Sequence, residues 1–281
     1  MNKKFSFALL FFFFFICNSL LFSQIKPNHF GSLKLWLKAD SGVVLSGSNV
    51  TQWTDVSNNG NNFLQADTAS QPTLIGSVPT INNLPSIYFD GSNYLSGGDI
   101  LDLENNDITI VCLIKSNTGG NPTYFAKSDY SGTLGHYALA AFGTSFGFWY
   151  NPYATGSTPP NNNYYLCTVE LHRSAGTTTV RINGSTFCTA NYSSESTYWN
   201  NTLPFCIGSN SIGGFKLNGE ITELAYFISA LNVSEVAGIE TYFVNKYFPP
   251  VNLGADIHKT NFCDTLLDAG SRYVSFLWST A

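Results

Sequence analysis

Between residues 32 and 248 the chain is punctuated too often to build anything but short elements. Brief runs of alternating or continuous apolar residues are separated by clusters of Gly, Asn, Ser and Pro. Many short strands at regular turn spacing predict an antiparallel β-sandwich. The runs place strands over residues 33–38, 86–89, 108–115, 124–127, 137–142, 145–149, 164–172, 177–183, 205–208 and 220–228. A stretch of roughly 220 residues lies within the range of one all-β domain. Composition agrees, with charged residues at 11% and aromatics at 15%, against a usual charged share of about 25%.

The clearest hairpin joins residues 167–173 to 177–184 across Ser174-Ala175-Gly176. Cys167, Val169 and Leu171 fall on one face and Thr168, Glu170 and His172 on the other. The first face is expected to be core and the second wet, with His172 and Arg173 as solvent-facing residues at the strand end. In the last long strand, parity groups Glu223 with Ile221, Ala225 and Phe227, which predicts a partly buried carboxylate bonded to loop backbone. The same parity sends Glu220 and Glu223 to opposite faces. Asn232 then opens a helix with Glu235 three residues on, as in a capping box. Val236, Ile239, Phe243 and Tyr247 form its docking stripe, and Pro249-Pro250 ends it.

Several of these segments carry a resemblance. Leu35-Trp36-Leu37-Lys38-Ala39-Asp40, Trp53-Thr54-Asp55-Val56-Ser57-Asn58-Asn59-Gly60-Asn61-Asn62, Ile87-Tyr88-Phe89-Asp90-Gly91, Arg181-Ile182-Asn183-Gly184 and the strand holding Glu223 resemble a laminin-G-like, concanavalin A-like module. The resemblance implies an all-β, two-sheet antiparallel jelly-roll sandwich with one C-terminal helix, over residues 31–249. Calcium is the usual companion of that family, held by carboxylate and backbone oxygens. Asp55-x-Ser57-x-Asn59-Gly60 offers one carboxylate and no closing Glu, so no cofactor is expected, with calcium the single candidate ion. Asx-turn chemistry tying strands together is the expected role of this loop. Residues 250–281 resemble a linker and the first strands of an immunoglobulin-like repeat of Bacteroidota surface proteins. That implies a fragment of a longer product, Cys263 lacking its partner, and export by the type IX system if a sorting domain follows.

Residues 1–23 carry a positive end, a short apolar run and the small Ser23, which predicts a signal peptide cut near Ser23/Gln24. The run is short for a span of about 20 apolar residues and is broken by Cys17-Asn18-Ser19. The expected location is therefore secreted or cell-surface, with no integral membrane segment after signal removal. Export permits disulfides. Cys112, Cys167, Cys188 and Cys206 could pair in three ways, which the sequence leaves open; Cys112 equally suits a core position.

A net charge of -5 with only 13 Lys and Arg argues against nucleic acid. Neither a paired-carboxylate pattern of glucan hydrolases nor a Gly-x-Ser-x-Gly elbow occurs. Asp99, Asp102, Glu104 and Asp107 read as solvated turn residues. Aromatics are dense instead, in 146–153 and 192–199, beside Asn-rich loops. Exposed rings stack on sugar C–H faces while amides bond hydroxyls. Trp149, Tyr153, Tyr198 and Trp199 are the candidate ligand-binding residues, while Phe146 and Phe148 are expected in the core. The expected function is non-catalytic carbohydrate binding or adhesion, toward an extracellular glycan or a surface protein. The alternatives are a polysaccharide hydrolase or lyase with an atypical site, and a structural spacer.

Overall fold

A computed structural model describes residues 24–250, apart from 118–119, 132–134, 151, 159–160 and 194–198. The expected signal peptide and residues 251–281 of the expected repeat lie outside the described residues. The strands in chain order are β1 (Leu33–Lys38), β2 (Val43–Ser46), β3 (Asn49–Trp53), β4 (Phe63–Leu64), β5 (Thr73–Val78), β6 (Leu84–Asp90), β7 (Leu95–Ser96), β8 (Ile108–Ser116) and β9 (Thr123–Lys127). They continue as β10 (Tyr137–Phe142), β11 (Ser145–Phe148), β12 (Ala154–Ser157), β13 (Tyr164–His172), β14 (Thr177–Ile182), β15 (Ser185–Asn191), β16 (Cys206–Ile207) and β17 (Asn218–Phe227), followed by helix α1 (Val233–Tyr247).

All pairings are antiparallel. In the first layer β17 is central, with β8 on one edge and β6 and β1 sharing the other. From β8 this layer runs through β13 and β14 to β15. The second layer runs from β2 through β3, β4, β7, β16, β9, β10 and β11 to β12. This is the expected jelly-roll sandwich with one helix. Strand alternation fills the space between the layers: Ile108, Ile110, Cys112 and Ile114 of β8 face Leu139, Phe146 and Phe148 of the second layer, with Trp53 and Phe63 in the same cluster.

The opposite face of the first layer is not wet. Helix α1 lies over it and, with Val111, Leu113, Ala225 and Phe227, forms a second apolar cluster. Its start follows the predicted chemistry: Asn232 Oδ1 accepts from the Ser234 and Glu235 amides, both at 3.0 Å, and Glu235 Oε2 accepts from Asn232 N at 2.8 Å. Asn232→Ala is expected to cost about 1 kcal/mol of stability, read as a lower denaturant midpoint at unchanged slope. Under the helix, Thr168 donates to Glu240 Oε1 at 2.9 Å, and Arg181 Nε reaches the same oxygen at 2.9 Å. The polar face of the predicted hairpin is thus partly covered by a helix, with Thr168 buried and Glu170 and His172 half-buried.

Three other expectations change. Arg173 is fully buried, donating to Tyr150 OH at 3.1 Å and Glu104 O at 2.6 Å, because loops from elsewhere close over the strand end. Among the turn carboxylates, Asp99 and Asp102 hold the buried Lys127 ammonium at 2.6 and 3.3 Å, so they balance an interior charge. Parity also fails in β17, where Ile221 pairs with Ile114 but Glu223 pairs with Leu113. The β-bulge at Thr222 adds one residue and reverses the alternation. Ile221 faces the core, while Glu220 and Glu223 both turn outward. Glu223 bonds to side chains, not loop backbone: Trp36 Nε1 donates at 2.7 Å, Tyr247 OH at 2.7 Å and Lys246 Nζ at 2.5 Å.

Cys112, Cys167, Cys188 and Cys206 are free thiols, which corrects the expected disulfides. Cys112 and Cys167 are register partners on β8 and β13, and their mutual hydrogen bond, with burial, pushes the Cys167 thiol well up. Burial raises Cys188 to about 12 and Cys206 to about 11. All three stay protonated at neutral pH, hence poor nucleophiles. No helix among the described residues is long and apolar enough to cross a membrane.

Candidate functional site

The outer face of the second layer carries an aromatic ledge. Its foundation is a row of small residues: Ala138 and Ala140 of β10 point away from the core, and Gly147 of β11 lies beside them. A Cβ on Gly147 would fall 2.0 Å from Ala154 O, so only glycine lets β12 pair this closely. That pairing brings the residues on either side of the β11–β12 turn together. Trp149 and Tyr153 have ring centroids 4.8 Å apart. Trp149 is fixed by its indole N–H, which donates to Ala140 O at 3.1 Å, and by its amide, bonded to Ala138 O at 2.7 Å.

The ledge continues through three further rings. Phe142, the outward residue at the end of β10, meets Trp149 edge-on at 4.7 Å. Phe142, Tyr130 and Phe215 form a closed triangle of edge-to-face contacts at 5.0, 5.4 and 5.2 Å. Tyr130 OH shares a 2.7 Å hydrogen bond with Thr123 Oγ1, and burial raises its ionisation above the ordinary tyrosine range. Tyr130 and Phe215 take left-handed backbone, φ 64° and 50°, a conformation bulky residues rarely adopt. The two ends of the ledge remain open, Tyr153 at 51% and Phe215 at 45% exposure. An exposed ring held by packing and hydrogen bonds offers a stacking surface with little ordering cost.

Of the four sequence-predicted residues, Trp149 and Tyr153 come together. Trp199 lies elsewhere, half-buried. Its backbone pairs with Glu104 at 2.7 and 2.8 Å, and its indole N–H is buried without an acceptor among the described residues. Tyr198 lies outside the described residues. Tyr130, Phe142 and Phe215 were not singled out from sequence. Phe142 had a signal: alternation with Tyr137, Leu139 and Ala141 places a phenylalanine on the outward face.

The Asp55 loop is committed to its own fold. Asp55 Oδ1 accepts from Trp36 N at 2.9 Å and Ser57 N at 2.8 Å, and Oδ2 from Asn61 N at 3.1 Å. Asn59 and Asn61 donate to Leu33 O and Lys34 O at 3.0 and 2.8 Å, latching the loop onto β1. Among the described residues, no group of three or more His, Cys, Asp or Glu converges as a metal site.

The carboxylates beneath α1 are likewise engaged. Glu220 pairs with Lys115 at 2.8 Å and accepts from Tyr164 OH. Glu220 and Glu223 share a face but no partner among these contacts.

The family model described as Concanavalin A-like lectin/glucanases superfamily matches residues 89–237, just over half of the chain. The chain belongs to this superfamily. Solved structures place the same fold in diverse company. A GH54 α-L-arabinofuranosidase soaked with 4-nitrophenyl α-L-arabinofuranoside aligns with TM-score 0.55 and 14% identity, over 75% of this chain and 54% of that one. The binding domain of Paraclostridial Mosquitocidal Protein 1 aligns at 0.53 and 12% identity, over 78% and 52%. Trypanosoma rangeli sialidase in complex with sialic acid aligns at 0.52 and 14% identity, over 77% and 33%. At these identities the superfamily likeness is one of fold, and the chain spans from a third to about half of these structures. No curated protein sequence matches it.

Proposed function

We propose that this superfamily member is a non-catalytic carbohydrate-binding module of an extracellular or cell-surface protein, and that the aromatic ledge is its glycan-binding surface. The observation that carries the reading is the Trp149–Tyr153 pair: a half-exposed phenol ring supported at 4.8 Å by an indole that is hydrogen-bonded in place. Such rings present flat apolar faces to sugar C–H groups, while the phenol tip remains free to meet a hydroxyl. The superfamily includes lectins and glucanases by description, and a lectin-like role suits a surface of rings without a carboxylate pair. Glu220, Glu223 and Glu240 each hold a partner from the first layer or α1, which supports a structural use for them.

The test is titration of the full chain with a panel of plant, algal and bacterial oligosaccharides. Tyr153→Ala and Trp149→Ala are each expected to weaken binding at least tenfold, with Trp199→Ala close to wild type. EDTA is expected to change nothing, because both Asp55 oxygens are already taken by backbone amides. Binding indifferent to both ledge variants overturns the assignment, and release of reducing sugar from any panel member overturns the non-catalytic reading.

A further inference from the structure

The end of the ledge opposite Tyr153 is fixed as firmly as the Trp149–Tyr153 pair. Phe215 ends a loop that the buried Asn210 holds from within: its Oδ1 accepts from Gly214 N at 2.6 Å and Ile212 N at 3.3 Å, and its amide donates to Gly214 O at 3.0 Å. Phe215 O in turn accepts from Thr123 N at 2.8 Å, which ties the loop to the start of β9. The Tyr130 turn is joined to the same loop. Tyr130 N donates to Ser128 Oγ at 3.0 Å, and Ser128 N and Ser211 N donate to Ser211 Oγ and Ser128 O at 2.7 and 2.9 Å.

This placement carries strain that burial does not offset. Phe215 holds left-handed backbone, φ 50°, yet leaves 45% of its surface in water. Backbone strain at bulky residues collects at functional sites, and here two such residues, Tyr130 and Phe215, meet ring to ring at one end of one surface. The two exposed rings of the ledge are set apart. Tyr153 connects to Phe215 through the half-buried Trp149 and Phe142, by centroid steps of 4.8, 4.7 and 5.2 Å. A single sugar ring, similar in size to a phenyl ring, covers one end, whereas a chain of linked rings reaches both. Lys216, next to Phe215, has its ammonium bound to Ser92 O at 2.7 Å and set over the Tyr94 ring, so a carboxylated sugar meets no free cation from this residue.

Resting on the glycan-binding reading of the ledge, we propose that Phe215, braced by Tyr130 and Phe142, is a second subsite, and that the ligand is an uncharged linear glycan long enough to lie on Tyr153 and Phe215 together. Two subsites occupied by one chain act at high effective concentration, so affinity rises with chain length until both are filled and then levels off.

Ligand-observed NMR on the full chain, with cello-, laminari-, manno-, xylo- and arabino-oligosaccharides one to six residues long and with oligogalacturonides as the anionic control, tests this. At least one neutral series is expected to bind, with affinity climbing about tenfold or more between the disaccharide and the pentasaccharide, and oligogalacturonides about tenfold more weakly. Phe215→Ala and Phe215→Gly, the latter at ease in left-handed backbone, are each expected to abolish the gain with length while the disaccharide binds as to wild type, which also shows that the ledge is still folded. Phe215→Tyr keeps the ring and is expected to retain the gain, whereas Tyr153→Ala weakens every length. Affinity flat with length, or a pentasaccharide indifferent to both ring-removing variants, overturns the second subsite, and sensitivity to Tyr153→Ala then leaves the ledge itself standing. Equal loss at every length in Phe215→Gly, at unchanged melting temperature, also overturns it by showing one undivided site. Oligogalacturonides binding as well as the neutral series overturn the uncharged class. Failure of every series to bind, or binding indifferent to Tyr153→Ala and Trp149→Ala, overturns this proposal together with the ledge reading.

Discussion

Glu223→Ala is expected to destabilise the protein by about 3–5 kcal/mol, the usual cost of removing one partner from a buried charge network. Glu223 is fully buried and is the shared acceptor for three donors from two elements: Trp36 Nε1 of β1, and Lys246 Nζ and Tyr247 OH of α1. Alanine leaves an indole N–H and a phenol without their acceptor in a region closed to water. Among the described residues it also leaves the Lys246 ammonium with the Asp40 carboxylate, at 3.0 Å, as its one remaining carboxylate. Because these donors tie the helix to the sheet, the loss is expected to loosen α1 before the sandwich opens. Glu223→Gln keeps a carbonyl acceptor and the side-chain volume, and is expected to cost about 1–3 kcal/mol. Urea unfolding followed by far-ultraviolet circular dichroism measures both. A cost below about 1 kcal/mol for alanine would show that desolvation of the pair cancels its attraction.

Trp53→Ala is expected to cost a similar amount, about 3–5 kcal/mol, for a different reason. Trp53 ends β3, pairs with Val43 and Phe63 on the strands beside it, and is fully buried within the main core. Its indole N–H has no acceptor among the described residues, so its contribution is volume and apolar area. Trp53→Phe, which retains most of that area, is therefore expected to lose only about 1–2 kcal/mol. If phenylalanine proved as costly as alanine, the indole nitrogen would have to matter. The neighbouring loop follows Trp53 in sequence but works by hydrogen bonds, with Asp55 receiving three amides.

Apolar alternation located β13 and β14 and the hairpin joining them, and the Asn232 and Glu235 spacing located the start of α1. Strands such as β15, largely exposed with little apolar alternation, carry no pattern that separates them from a polar loop. The bulge at Thr222 is set by pairing with β8 and β6, which a count along one strand does not contain, so the parity of Glu223 relative to Ile221 was misread. Arg173 looks solvent-bound in its local sequence, whereas Tyr150 and the Glu104 carbonyl, which receive its guanidinium in the interior, come from distant segments. Legibility at the ledge has the same limit. Trp149 and Tyr153 are close in the chain and were visible together. Tyr130, Phe142 and Phe215 come from three separate segments that meet only once the second layer has folded.

The packing of the chain's first described residues bears on how such a module can be displayed. Ile25 occupies the space where a side chain on Gly238 of α1 would sit, and Phe30 meets Phe227 of β17 edge-on at 5.7 Å, while α1 itself lies over the same outer face of the first layer. Entry and exit of the described chain are therefore both at the back of the sandwich. A tether joined at either end, whether a neighbouring domain or a solid support, leaves the aromatic ledge turned outward. If the ledge binds glycan as proposed, several such modules on one support would add modest affinities into firmer attachment.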